Sequence, residues 1–418
     1  MDRNQKVSIC IVGAGSRGRS YSNYSTDFPD EVHVVGVAEP RDFYRNDLVE
    51  KYAIPPENVF NSWQELAAHD GRVADAVIIA TPDQKHTAAA LALIDKGYHV
   101  LLEKPMAPTR EECERIVAAA RAKKILFGVC HVMRYTQYTQ KLKQLLDDGL
   151  IGEIVSIQHL EPVGFSHQAH SYVRGQWSNE KESSCMLLAK SCHDMDWLRY
   201  IVGSKIAKVS SFGHLRHFTA ANKPQGASER CVDCPVEPDC PYSAIKIYLD
   251  LVKKGHTGWP VDIITPDTTV AGVQAAIKTG PYGRCVYACN NDVVDHQVVG
   301  MEFENGASGA FTMTAFCEGS GRKTRIFGTK GELYGDGKII DHYDFLGKKH
   351  ALIDASKVGG SIVSGHGGGD YGLMKKFIEA VATNDQSAIL SGPVESLETH
   401  TSVFAAEEAR KTGRVVAL

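Results

Sequence analysis

Lys104, set between Glu103 and Pro105, and His193, in the run Lys190-Ser191-Cys192-His193-Asp194-Met195-Asp196, are the side chains of this chain best suited to moving a proton. A lysine whose pKa is lowered by burial or by a neighbouring cation can take a proton from a hydroxyl and return it. Oxidation of an alcohol needs such a group, because the hydroxyl proton must leave while the carbinol hydride passes to an acceptor. The spacing also fits a surface lysine paired with Glu103. His193 and Asp196 are three residues apart on a helical pattern, so they share a face on which the carboxylate could orient or charge the imidazole. A core histidine beside an N-capping or surface acid has the same spacing.

The elements that must position these groups begin at Val7–Val12, an apolar run that reads as a strand buried on both faces of a parallel sheet. It feeds into Gly13-x-Gly15-x-x-Gly18. Gly13 permits the tight turn, Gly15 lets backbone approach a pyrophosphate, and Gly18 lets the next helix pack close. Ser16 and Arg17 then lie at the helix N-terminus, where unpaired N–H groups and the helix dipole favour phosphate. A second strand, Val32–Ala38, ends at Glu39, about twenty residues beyond Gly18, where a carboxylate accepts hydrogen bonds from a ribose. Glu39 favours NAD over NADP, and Arg41 and Arg45 nearby could reverse that preference.

Residues 76–80, 99–103 and 125–129 are further apolar runs separated by amphipathic segments, the alternation of a doubly wound parallel sheet. Thr81-Pro82-Asp83 leaves the strand 76–80 at its carboxyl end, where ligands bind in such sheets. Thr109-Arg110-Glu111-Glu112 has capping-box spacing, so a helix starts just after Pro108 and Glu103-Lys104-Pro105 is left on a loop facing the same cleft. Beyond about residue 129, strand-like segments at 153–159, 207–212, 298–303 and 307–313 are separated by turns, which predicts a mixed or antiparallel sheet. Helical patterns occupy 186–202, 374–383 and 396–412. The fold class expected is α/β, with a Rossmann domain at 1–128 and an α+β domain at 129–418. An inserted arm rich in Pro, Gly and Cys spans about 220–284, with one helical piece around 242–253.

Three polar runs could meet a hydroxyl-rich ligand. In 167–177, His170 and Arg174 can bond hydroxyls and Trp177 offers an apolar face to a pyranose ring, although a plain polar loop fits as well. Asn291-Asp292-x-x-Asp295-His296-Gln297 is the second, with alternation that turns some members toward a cleft, and Gly365-His366-Gly367-Gly368-Gly369-Asp370-Tyr371 is the third. Cys231-x-x-Cys234 with Cys240 can present thiolates to a structural zinc, the fourth ligand being open among Cys192, Cys285, Cys289 and His214. Free thiols in a loop, or a disulfide, are the alternatives.

Composition excludes other classes. Net charge is −4 with both signs interspersed, which gives no footprint for nucleic acid or for a membrane surface. No apolar span is long enough to cross a bilayer, and the first strand begins too early for a secretory signal. The odd count of 11 cysteines, several in apolar strands, fits a reducing compartment, so a cytoplasmic protein is expected.

Taken together, Gly13-x-Gly15-x-x-Gly18-Arg19, Ala80-Thr81-Pro82 followed by His86, Glu103-Lys104-Pro105 and His193-x-x-Asp196 resemble, in order and spacing, the glucose-fructose oxidoreductase and inositol dehydrogenase family (Gfo/Idh/MocA). The resemblance covers nearly the whole chain, and Glu-Lys-Pro is its most specific element. It implies an NAD(P)-dependent oxidoreductase acting on a sugar, glycoside or cyclic polyol, with Lys104 and His193 as the catalytic pair. It further implies a large open sheet that mediates a homodimer or homotetramer, cofactor contacts from Thr81, Pro82, His86, Glu103 and Arg134, and substrate contacts from Lys190, Asp196 and His366. One departure stands out: many inositol dehydrogenase relatives carry an aspartate four residues before the histidine, where this chain has Ala189 followed by Lys190. Lys190 could replace that group, or lower the pKa of Lys104 by like-charge repulsion. The Gly-His-Gly-Gly run is similar to one in NAD-dependent glycosidases, so a redox-neutral glycosidase or lyase working through a transient keto-sugar is the alternative. A non-catalytic ligand sensor is a third reading, opposed by the presence of both Lys104 and His193.

Overall fold

The computed structural model describes residues 6–319, 321–357 and 366–418, with the side chains of Lys357 and His366 outside that set. Strands β1 (Val7–Val12), β2 (Val32–Ala38), β3 (Val59–Phe60), β4 (Ala76–Ile79), β5 (His99–Leu102) and β6 (Phe127–Val129) form a parallel sheet in the order β3-β2-β1-β4-β5-β6. The strand order reverses between β1 and β4, which opens a crevice at their carboxyl ends. Ile9, Ile11 and Ile78 point to one face, and Val12, Val77 and Ile79 to the other; helices cover both. This is why these strands read as unbroken apolar runs rather than alternating ones. Thr109 caps the helix Arg110–Lys123 by accepting from the Glu112 N–H, as the capping-box spacing predicts.

One face is covered from far along the chain. Met374 and Phe377 of the helix Gly369–Thr383 pack against Ile9, Ile11 and Leu101, so a segment well beyond residue 128 belongs in space to the first sheet.

The second sheet comprises β7 (Ile154–Pro162), β8 (Ile206–His214), β9 (His296–Phe303), β10 (Ser308–Thr314), β11 (Lys323–Gly328), β12 (Gly331–Gly335), β13 (Ile339–Asp344), β14 (Lys349–Asp354) and β15 (Val416–Ala417), ordered β14-β13-β12-β11-β7-β10-β9-β8-β15. Only β7 and β10 pair in parallel. Burial alternates along β9 and β11, and the inward side chains Val299, Phe311 and Ile326 share a core with Trp197, Leu198 and Val403 of two covering helices. Phe212, Val298, Tyr334 and Leu352 remain exposed. Strands β11 to β14 go beyond the expected set, since short strands punctuated by Gly, Lys and Asp carry little signal until they pair. No helix among the described residues is long and apolar enough to cross a membrane.

Two helical expectations are corrected. The pattern at 186–202 divides into Met186–Ala189 and Cys192–Val202, with Lys190 and Ser191 between them. The arm holds a second helix, Val270–Thr279, capped by Thr269, besides the piece at Ile245–Lys253. Phe218, Tyr248, Val273 and Ile277 give the arm its own apolar core, seated on Ala169 and Val173.

Candidate active site

The glycine turn is shaped by close backbone approach. Gly13 has φ +95°, and a Cβ there would lie 2.6 Å from the Ala80 carbonyl oxygen; a Cβ on Gly18 would lie 2.0 Å from the Gly13 oxygen. The helix Ser16–Asp27 starts at Gly15 with no side chain capping its first N–H groups. That leaves orphan donors aimed into the crevice, which fits the pyrophosphate of a dinucleotide. Gly18→Ala is therefore expected to abolish dinucleotide binding, because the helix must back away from the turn; unchanged affinity by calorimetry would show that the turn does not hold the ligand.

Glu39 is buried at the end of β2, where Oε2 accepts from the Ala14 N–H at 2.8 Å and Oε1 from Arg41 Nε at 2.7 Å. Burial pushes its pKa up, but the bonds from Arg41 and Ala14 outweigh that and hold the carboxyl below its usual range. Arg41 also lies over the Tyr44 ring, and Arg45 bonds the Glu39 carbonyl and Asp42. Both arginines are thus already committed to acceptors.

Other expected cofactor contacts divide. Thr81 stands at the crevice with its hydroxyl buried and without a hydrogen-bond partner among the described residues, and Pro82 follows it. His86 is a correction: its ring is fully buried between the Pro105 and Thr81 carbonyls, at 2.7 and 2.8 Å, where it ties two loops together. The Arg17 side chain is likewise turned away from phosphate, with Nε 2.6 Å from Glu103 and Nη2 2.7 Å from Asp370, and it is stacked on Tyr21. Glu103 accepts from Arg17, from Tyr21 at 2.7 Å and from the Lys104 N–H at 2.7 Å. It anchors the loop: its close ion pair is with Arg17, and the charge of Lys104 only helps to hold its carboxyl below the usual range.

Lys104 is thereby free to reach across the seam between the two sheets. Its Nζ donates to the Ala189 carbonyl at 2.8 Å. That carbonyl is available because the helix Met186–Ala189 stops there, before His193 enters in the first turn of the next helix. His131, just past β6, faces His193 at 5.9 Å between ring centroids and His400 at 5.6 Å. Both His131 nitrogens are buried without a hydrogen-bond partner among the described residues, with Nε2 3.9 Å from Asp196. Sequence reading missed His131; its signal was a histidine at the carboxyl end of a parallel strand.

Asp196 is a second correction. Its carboxylate accepts from Arg134 Nε and Nη2 at 2.6 and 2.7 Å and from Thr399 at 2.9 Å, and it has no exposed surface left for substrate. Arg134, expected to touch cofactor, instead spends its remaining Nη1 on the Leu390 carbonyl. The pair ties the segment after β6 to the second sheet's helices.

Lys190 sits 3.1 Å from Glu161, which also pairs with Arg322 at 2.9 Å. Arg322 continues to Asp194, and Asp194 to His159 Nε2 at 3.0 Å. Burial, reinforced by Arg322, lowers the Lys190 pKa, while Glu161 opposes the shift. Two cations and two carboxylates thus balance beneath the seam. His167 lies near them: burial, with the cations of Lys190 and Lys104, lowers its pKa to about 2.

The remaining substrate expectations do not converge. His170 bonds the Tyr248 hydroxyl at 3.0 Å and stacks on Tyr282. Arg174 holds the arm through the Arg284 and Tyr242 carbonyls at 2.7 and 2.8 Å. Trp177 packs near Tyr172, and His296 bonds Asp295 at 2.8 Å beside His214. The side chain of His366 lies outside the described residues, as does Gly365. An open cleft of about 770 Å³ is lined by Arg134, but its cations Arg199, Lys205 and Lys143 are paired with carboxylates.

The zinc expectation is corrected. Cys231, Cys234, Cys240 and Cys285 line one small cavity of about 20 Å³, yet no group of three or more His, Cys, Asp or Glu among the described residues is arranged to hold a metal ion. Cys231 directs its sulfur to Arg174 Nη2 at 3.5 Å and to the Arg284 carbonyl instead of a shared centre. The described cysteines are free thiols.

Buried neutral imidazoles make stability pH-dependent. Burial lowers the pKa of His131 to about 4, of His170 to about 4 and of His400 to about 3. In the unfolded chain these groups protonate near pH 6.5, so as pH falls from there toward 4 the unfolded state takes up protons that the native state refuses. The denaturation midpoint should be flat above about pH 7 and fall steadily between about 6.5 and 4. A midpoint that rises in that window would mean the imidazoles are charged in the fold.

Fold and site together define a dinucleotide-dependent oxidoreductase of two sheets. Residues 7–131 match the NAD-binding Rossmann-fold domain of an oxidoreductase family, and residues 143–418 match that family's C-terminal alpha/beta domain. The chain belongs to the Gfo/Idh/MocA oxidoreductase family. It is similar to the protein YteT of Bacillus subtilis, 24% identical over 72% of this chain and 71% of the relative. It is similar also to an inositol 2-dehydrogenase of Streptomyces avermitilis, 29% identical over 53% of this chain and 60% of that one. Among solved structures, levoglucosan dehydrogenase in complex with NADH and levoglucosan shares the fold with a TM-score of 0.71, at 18% identity and 99% coverage of each chain.

Proposed function

We propose that this protein transfers a hydride between NAD and a hydroxyl-bearing carbon of a sugar, glycoside or cyclic polyol. The observation that carries this reading is the Lys104 ammonium, released from Glu103 and extended across the seam to the Ala189 carbonyl, beside the helix turn that bears His193. NAD, when bound, supplies the hydride acceptor. The orphan N–H groups at Ser16 and Arg17 would hold its pyrophosphate, and Glu39 its ribose hydroxyls. With Arg41 and Arg45 committed, a 2′-phosphate would meet the Glu39 carboxylate, which favours NAD over NADP. Lys104 would bind the reacting hydroxyl oxygen in place of the Ala189 carbonyl and, once its ammonium has given up a proton to water, take the hydroxyl proton as a neutral amine, while His193 would hold the same oxygen or pass that proton on.

The substrate class is supported by the names of two relatives, an inositol dehydrogenase and a levoglucosan dehydrogenase, both acting on ring polyhydroxy compounds. The exposed face of the second sheet, with Phe212, Val298 and Leu352, would receive a second copy of the chain. The test is a product mass spectrum after incubation with NAD and a panel of myo-inositol, levoglucosan and methyl glucosides. A product lighter by two hydrogens, formed with NADH absorbance, is expected. Cleaved glycoside without NADH would replace this reading with the redox-neutral one, and an unchanged panel would overturn both.

A further inference from the structure

The inserted arm reaches toward the seam with its stretch from Trp259 to Asp262. Trp259 packs edge-on against His167 at 5.0 Å and His170 at 5.3 Å between ring centroids. His167 lies just past β7, whose Glu161 pairs with Lys190, the neighbour of the Ala189 whose carbonyl takes the Lys104 ammonium, so the indole borders the proposed reaction centre through His167. Two residues on, Val261 is fully buried in the arm's core and fixes the stretch in place. Asp262 then approaches Arg19 at 4.0 Å, in the helix whose first turn would meet the pyrophosphate. Arg19 Nε and Asp262 Oδ1 are buried there without a hydrogen-bond partner among the described residues. The arm therefore emerges from the second half of the molecule and touches the first, closing a third side of the seam.

Trp259 itself is 54% exposed, although His170 beside it is buried and His167 half-buried. An indole held by two imidazoles, with half its surface open, presents an apolar platform that none of the described residues covers. The axial C–H bonds of a pyranose or cyclohexane ring form an apolar face of matching size, and an indole is the side chain that gains most from such contact.

We propose that Trp259 is the specificity-determining wall of the substrate site, stacking on the ring of a cyclic polyhydroxy substrate whose hydroxyl is presented to Lys104. This rests on the function proposed above and names the part of the substrate that this chain recognises. Trp259 takes no part in proton transfer; it positions the ring. It should therefore govern affinity and the preference for cyclic over open-chain polyols, and leave NAD affinity alone.

The test uses the full chain with Trp259→Ala and Trp259→Phe, probed with levoglucosan, methyl α-glucoside and myo-inositol against sorbitol as the open-chain control. Trp259→Ala should raise KM for the best cyclic compound about tenfold, with kcat within about threefold and the Kd for NAD within about twofold. Trp259→Phe should recover part of that loss. Binding of the same compound, measured by calorimetry in a Lys104→Ala background that cannot turn it over, should weaken in parallel. Unchanged KM and Kd in Trp259→Ala, with the unsubstituted protein active, would overturn the wall and leave the hydride-transfer reading standing. A fall in kcat alone, or an equal loss for sorbitol, would also overturn it. Failure of the unsubstituted protein to bind or convert every cyclic compound would overturn both.

Discussion

Lys104→Ala is expected to lower turnover by about two orders of magnitude or more while NAD affinity stays within about twofold. The expectation follows from where the ammonium sits. Glu103 is occupied by Arg17, Tyr21 and the Lys104 backbone, so truncating the lysine side chain strips no ion pair from the loop. Among the described residues its side chain donates to the Ala189 carbonyl, an orphan at a helix end that water can satisfy in its place. The loss should therefore appear in kcat with the fold intact. Lys104→Arg should not restore it, because a guanidinium keeps its proton at any working pH. Turnover near normal in Lys104→Ala would remove this residue from the mechanism and leave the hydroxyl proton to His193.

Arg134→Ala is expected to destabilise the protein by about 3–5 kcal/mol, because it leaves the Asp196 carboxylate buried without its bidentate partner. Burial raises the Asp196 pKa and Arg134 more than reverses this, so the carboxyl is held below its usual range only while the guanidinium is there. A fall of the denaturation midpoint by roughly 5–15 °C should accompany the change. The reason can be separated from mere loss of packing: the double variant Arg134→Met with Asp196→Leu should cost less than Arg134→Ala alone, since neither charge is then stranded. Full stability in Arg134→Ala together with weakened NAD binding would return Arg134 to the cofactor role that the family resemblance implies.

Much of the first sheet was legible. Its strands are buried on both faces and need no partner information to look apolar, and the glycines and the Thr109 cap act within a few residues of where they stand. The loop bearing Lys104 was legible for the same reason. His193 with Asp196 was only half legible: sharing a helix face made them look like a pair, but the carboxylate found a guanidinium 62 residues away in sequence. The departure at Lys190 resolves in the same manner, through a glutamate on β7 that no local spacing announces. Cys231, Cys234 and Cys240 do line one cavity, yet the Cys231 sulfur turns to Arg174 and the Arg284 carbonyl, and no group arranged to hold a metal forms among the described residues. His131 escaped notice because a single histidine in an ordinary run carries no pattern, and His167 stood out only as the start of the polar run 167–177.

By itself the amino-acid order determined the class of fold, the nucleotide turn and the lysine poised at a strand end. Those rest on short-range sterics, capping and the periodicity of apolar side chains, which act over a turn or a strand. Tertiary structure alone decided which carboxylate answers which cation, which histidines face the seam, and that an arm inserted far along the chain brings an indole to it. Such outcomes depend on charges and rings brought together by chain closure, and partners distant in sequence leave no trace in local spacing.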